Sequence, residues 1–149
     1  MHRIAPDDRC LTIVIAAFNE AEALPALQPR IATALSLAEA EGLDARVLYV
    51  DDGSRDGTWD VLRGFAAIDA RVALLRLSRN FGKEAALTAG LDRVERGAAF
   101  ILDADGQDPP ELLPRFVEKW REGFDDVHGT RVEREGEGWL KRATAHGFY

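Results

Sequence analysis

The sequence holds one cysteine, Cys10, so neither an intrachain disulfide nor a cysteine-based zinc site can form. Cys10 lies in an apolar run and reads as a buried, inert thiol. The three histidines, His2, His128 and His146, are scattered and never take the H-E-x-x-H spacing of a zinc hydrolase. No stretch reaches the roughly 18 consecutive apolar residues of a membrane span. The N-terminus MHRIAPDDRC has no apolar core of a signal peptide. Positive charge is also short, with 19 Lys and Arg against 26 Asp and Glu, a net charge of −7. A nucleic-acid binder of low sequence specificity needs a basic face, so the balance argues against nucleic acid as a partner and leaves room only for a local basic patch. Neither G-x-x-x-x-G-K-[ST] nor G-x-G-x-x-G occurs. These absences describe a soluble domain of a reducing compartment.

What the 149 residues do contain, at 46% hydrophobic, is enough apolar material for one domain with a core. Short β-rich runs alternate with longer helical periods. CLTIVIAA, ARVLYV, VALLRL and AAFIL read as strands, and DDVHGT as a short fifth. Helices are expected from about Pro25 to Glu41, from a Thr58 cap to about Ala70, and after Lys83. The Lys83 helix carries an apolar stripe of Ala86, Leu87, Gly90, Leu91 and Val94. A last helix opens at Pro110 and carries Leu112, Leu113, Phe116, Val117 and Trp120 on one face. Strands alternating with single helices predict an α/β, Rossmann-like fold. Its sheet is mostly parallel, with helices on both faces. Residues 1–130 form this core; RVEREGEGWLKRATAHGFY, from 131 to 149, changes character, and the chain is expected to be cut there in mid-protein.

Open α/β sheets bind ligands beyond the carboxyl ends of their strands. Five loops would meet on that rim: Phe18 to Glu20, Asp51 to Asp56, Ser78 to Lys83, Asp103 to Asp108 and Gly129 to Arg131. Asp103 and Asp105, at i and i+2 past a buried strand, can turn toward one point, where each would raise the other's pKa. A divalent cation relieves that repulsion, and oxygen ligands suit Mg²⁺ or Mn²⁺, with Gln107 as a neutral third oxygen. The competing reading is a solvated acidic turn. Asp108, before Pro109 and Pro110, reads as a helix cap. DDGSRDGTWD matches several positions of a calcium loop, but Arg63 stands where a bidentate Glu is needed. Asp51 or Asp52, at the end of the second strand, could accept hydrogen bonds from a nucleoside. Lys83 opposes the dipole of the helix it starts unless an anion lies near.

VIAAFNEAEAL, YVDDGSRDGTWDVL, LSRNFGKEAALTAGLD, DADGQDPPELLPRF and GTRVEREGEGWLKR, in this order, resemble the inverting glycosyltransferases of the GT-A fold. Their branch is similar to the polyprenyl-phosphate glycosyltransferases. The resemblance implies a nucleotide-sugar donor (a UDP- or GDP-sugar) and a polyprenyl phosphate acceptor at the cytoplasmic face of a membrane. It implies that Ala16, Phe18, Glu20, Asp51, Asp52, Lys83 and Asp103 meet the nucleotide. Asp103, Asp105 and Gln107 would hold Mg²⁺ or Mn²⁺. Asp103, Asp105 and Arg131 would serve catalysis, and Arg131 and Arg142 would meet the acceptor phosphate. A homo-oligomer is left open. Gly106 stands where the family often has Leu, and the family's further DP-x-SGF-type segment is not in the chain. A second enzyme class and a signalling domain compete. DADG resembles the signature of haloacid-dehalogenase-type phosphohydrolases, but there the first Asp follows the first strand. Receiver domains likewise place their acidic pair after the first strand. A nucleotide-binding module without turnover is the non-enzymatic alternative.

Overall fold

Four apolar runs pair side by side in a computed structural model that describes residues 9–129. They are β1 (Cys10–Ala17), β2 (Asp44–Asp51), β3 (Val72–Arg76) and β4 (Ala98–Asp103). All pairings are parallel and the order is β3-β2-β1-β4. Helices α1 (Leu24–Ala40), α2 (Thr58–Ile68) and α3 (Lys83–Leu91) connect successive strands, and α4 (Leu113–Arg121) follows a 3-10 turn at Pro110–Leu112. The α/β fold expected from the sequence is the one observed.

The register explains why both strand faces are apolar. Ile13 and Ile15 of β1 sit beside Val47 and Tyr49 of β2, and all four are fully buried. On that face Tyr49 donates its hydroxyl to Gln28 of α1 and sets its ring 6.1 Å from Phe65 of α2. Residues of the other parity, Val14, Leu48 and Val50, meet α3: a Cβ on Gly90 would come 2.7 Å from Val14 Cγ1 and 2.9 Å from Val50 Cγ2. Glycine there lets the helix approach the sheet. Full burial of each such aliphatic side chain contributes ~1.5–3 kcal/mol, so the sandwiched central strands carry the core.

Connections from β1 to β2 to β3 run one way along the sheet, whereas β3 to β4 returns past β1. The direction therefore reverses between β1 and β4. A reversal point opens a crevice at the carboxyl ends of the strands, and Ala16 is registered there against both Val50 and Asp103.

Several local expectations change. α3 ends at Leu91, and only Ala86 and Gly90 of its expected stripe are buried. Leu91 is exposed, and α3 packs on β1 and β2, while Ile101 of β4 is 45% exposed. The sheet carries helices on both faces, as the alternation of strands and helices predicts, and among the described residues β4 is left partly open at Ile101. Thr58 begins α2 after Gly57 and does not cap it by its side chain. Cys10 is half-buried, being the first residue of its strand. Residues 125–129 form no strand. By its contacts the chain divides after Pro114. In the part that starts at Arg115, Lys119 bonds Glu122 at 2.8 Å and lies 5.8 Å from the Phe124 ring centre. The boundary expected at residue 130 lies outside the described residues.

Candidate functional site

The β1–α1 and β2–α2 loops are stitched together before any ligand is considered. Asn19 takes a left-handed backbone, φ 53°, which Asn tolerates better than most residues. Its N–H donates to Ser54 Oγ at 3.0 Å, and its Oδ1 accepts the Arg55 N–H at 2.9 Å. Glu20 N–H donates to Thr58 Oγ1 at 2.9 Å and Ala21 N–H to Asp56 Oδ2 at 3.3 Å. Asp56 Oδ1 also accepts the Thr58 N–H and hydroxyl. The hydroxyl bond leads the causes that hold the Asp56 carboxyl below its ordinary range. Asp56, one of the acids that mimic a calcium loop, is thus satisfied by the protein's own donors.

Asp51 and Asp52, adjacent in sequence, point to different tasks. Asp51 is fully buried; its Oδ1 accepts the Ser54 N–H at 3.0 Å, and Arg76 Nε lies 3.3 Å from Oδ2. Oδ2 has no partner with hydrogen-bond geometry, so the Arg76 contact is an ion pair only. Asp52 reaches across to the β3–α3 loop, accepting the Phe81 N–H on Oδ1 at 2.8 Å and the Gly82 N–H on Oδ2 at 3.0 Å. Hydrogen bonds to an ionised acceptor are the strong kind. Gly53, φ 68°, brings this loop close: a Cβ there would fall 2.2 Å from the carbonyl carbon of Arg79.

The loop after β4 folds back on itself. Asp108 accepts the Asp103 N–H at 3.2 Å, and Asp105 accepts the Gln107 N–H at 2.9 Å. Asp108 thus closes the loop, whereas the 3-10 turn starts from Pro109 without a side-chain cap. Gly106, φ 78°, makes the turn. Arg30 of α1 fixes the outside of the loop. Its guanidinium binds Glu111 through Nε at 2.7 Å and Nη2 at 2.8 Å, and Nη1 donates to the Gly106 carbonyl at 3.4 Å. The bidentate bond holds the Glu111 carboxyl down at about 2. Sequence inspection missed this clamp, because 81 residues separate its partners and no local pattern links them.

At the β1/β4 reversal point these loops enclose a pocket of about 240 Å³. Ala16, Phe18, Glu20, Asp52, Lys83, Asp103 and Asp105 all line it, as do Asn80 and Gly82 of the loop held by Asp52. Asp51, fully buried, and Gln107 do not line it. Arg131 and Arg142 lie outside the described residues. Asn80 could have been suspected only from its place in a rim loop. Lys83 Nζ pairs with Asp103 Oδ1. Burial, then the charges of Asp105 and Asp56, raises the Glu20 carboxyl above its ordinary value. Among the described residues no group of three or more His, Cys, Asp or Glu converges to hold a metal. Two carboxylates on one pocket wall fit a Mg²⁺ or Mn²⁺ that completes its shell with water and substrate phosphates; they do not fit a cation caged by protein alone.

A model of the family described as glycosyl transferase family 2 matches residues 12–147. A bactoprenol glucosyl transferase of Shigella phage SfX is 40% identical over 139 residues, covering 93% of this chain and 45% of the relative. An undecaprenyl-phosphate 4-deoxy-4-formamido-L-arabinose transferase of Aeromonas hydrophila is 34% identical over 140 residues, covering 93% of this chain and 42% of the relative. The chain thus spans less than half the length of these relatives. Among solved structures, the mannosyltransferase PcManGT of Pyrobaculum calidifontis, in complex with GDP-Man and Mn²⁺, superposes with a TM-score of 0.60 at 22% identity. That alignment covers 72% of this chain and 31% of the neighbour, a likeness of fold.

Proposed function

Because the chain belongs to glycosyl transferase family 2, we propose that the whole protein moves a sugar, with inversion, from a nucleoside diphosphate sugar to a polyprenyl phosphate. The observation that carries this reading is one pocket lined by Asp103, paired with Lys83, by Asp105 and by the Asp52-anchored loop. Such a wall suits a ligand that brings its own phosphates and shares a cation with the protein. Relatives named for bactoprenol glucosyl transfer and for undecaprenyl-phosphate as acceptor support the lipid. The fold neighbour holds GDP-Man and Mn²⁺, so this fold can carry that pair.

In this proposal Ala16, Phe18, Glu20 and Asp52 surround the base and ribose. Asp52 does so mainly by holding the backbone of Phe81 and Gly82 in place. Asp103 and Asp105 would hold Mg²⁺ or Mn²⁺, which would neutralise charge growing on the departing diphosphate; Gln107, expected with them from the sequence, does not line the pocket. Lys83 adds a point charge on the same side. A phosphate acceptor is already anionic near neutral pH, so its oxygen attacks the anomeric carbon without a strong general base. The new C–O bond forms as the bond to the diphosphate breaks on the opposite face. The protein's share is positioning and charge stabilisation. Segment 131–149, with Arg131 and Arg142, is assigned to the acceptor phosphate at the cytoplasmic face of the membrane. Among the described residues no helix is long and apolar enough to cross a membrane.

Calorimetry of the chain with UDP and with GDP, each with and without Mn²⁺, tests the donor half. We expect binding of one nucleotide that requires the cation. Binding that is absent, or indifferent to Mn²⁺, with both nucleotides would overturn it.

A further inference from the structure

Lys83 stands where electrostatics disfavours it. It is the first residue of α3, next to the positive end of the helix dipole, where a cation is unfavourable. The structure supplies a compensating anion on another element: Lys83 Nζ pairs with Asp103 Oδ1 at the end of β4. Asp103 is held on the strand side by its register with Ala16 and by the bond from its N–H to Asp108. The lysine, 58% exposed on its side chain, is the mobile member, a compact charge on a flexible four-carbon stem. Among the described residues that line the pocket, Lys83 is the one base facing the acids Glu20, Asp52, Asp103 and Asp105. Asp52 is committed to the Phe81 and Gly82 N–H groups. Lys83 is therefore the countercharge for the carboxylate that a cation would need.

We propose that Lys83 is a displaceable counterion that couples cation binding to nucleotide binding. Resting on the donor reading above, the inference adds an order of events. In the structure the ammonium neutralises Asp103. A divalent cation arriving alone must break that pair and sit beside a like charge. A nucleoside diphosphate removes the conflict, because its phosphates attract the released ammonium and bridge to the cation. Each ligand then favours the other by the same factor, as linkage requires. The arrangement disfavours cation loading in the absence of donor.

The test is Mn²⁺ binding to the chain, read by the electron paramagnetic resonance of free Mn²⁺, alone and with saturating UDP or GDP. Lys83→Met should bind Mn²⁺ alone about three- to tenfold more tightly than the unsubstituted chain, since one like charge is removed from the site. Its affinity should rise less than the unsubstituted chain's when nucleotide is added. Lys83→Gln, which keeps a polar stem, should move in the same direction, and Lys83→Arg should retain the coupling. If Mn²⁺ alone binds Lys83→Met no better than the unsubstituted chain, while nucleotide binding still needs the cation, the counterion role is wrong and the donor reading stands. If the unsubstituted chain takes up no Mn²⁺ even with either nucleotide, both fall together.

Discussion

Gly53→Ala is the sharpest perturbation of the pocket's scaffold, because it changes one carbon at a point where two backbones meet. The new Cβ would lie 2.2 Å from the carbonyl carbon of Arg79, 2.5 Å from the nitrogen of Asn80 and 2.7 Å from Cα of Arg79. All three are main-chain atoms, so no rotamer change relieves the overlap. The left-handed backbone, φ 68°, adds about 1–2 kcal/mol for a residue with a Cβ. Moving the loop away strains or breaks the bonds from the Phe81 and Gly82 N–H groups to Asp52, each worth ~1.5–3 kcal/mol as a bond to a charged group. Loss of one of these bonds together with the backbone cost gives a destabilisation of ~3–5 kcal/mol, in the range that marks a specific structural fault. Gly42→Ala is the control: φ is 88° but nothing lies within 4 Å of the added Cβ, so only the conformational cost of about 1–2 kcal/mol applies. Urea unfolding followed by tryptophan fluorescence would measure both. Equal losses in the two variants would refute the idea that close approach of the loops, rather than backbone conformation, makes Gly53 necessary.

Asp105→Asn should leave unfolding unchanged within about 0.5 kcal/mol, as expected for an exposed loop side chain, yet abolish Mn²⁺-dependent nucleotide binding in calorimetry. Unaltered nucleotide affinity would remove Asp105 from the cation site. Glu111 supplies a pH test. Its carboxyl, ordinarily at 4.5, is lowered to about 2 in the fold by Arg30. A depressed carboxyl stabilises the folded state above its unfolded value and loses that contribution as pH falls through the folded value. The stability difference between the unsubstituted chain and Glu111→Gln should therefore be full above pH 4.5 and shrink toward pH 2. Both partners are exposed, so solvent screening limits it to ~0.2–1 kcal/mol, and a gap that stays constant with pH would refute the pairing.

Much of the fold could be read along the chain. CLTIVIAA forms β1 over the same residues that the sequence marks, because a β-branched run between polar loops has few other ways to bury itself. Helix faces were harder. Ala86 and Leu91 belong to one apolar stripe in sequence, but whether either is covered depends on how far the sheet extends beneath α3, and β4 lies beyond that cover. At the site, Asp103 and Asp105 were legible from their spacing past a strand. Gln107 was assigned with them, and its side chain does not line the pocket.

Residue chemistry along the chain settled which groups could serve: paired carboxylates after an apolar strand, an acid at the end of β2, a lysine opening a helix. Those features depend on near neighbours and survive in any reading of the order of residues. Folding settled what each group touches. Asp51 was buried against the Ser54 N–H and Arg76 while Asp52 came to line the pocket, Asp108 turned back to its own loop, and Lys83 found Asp103. Arg30 and Glu111 met across 81 residues of sequence. Such pairings depend on strand order and on the reversal between β1 and β4, which follow from packing all the apolar faces at once and are written in no short stretch of the chain.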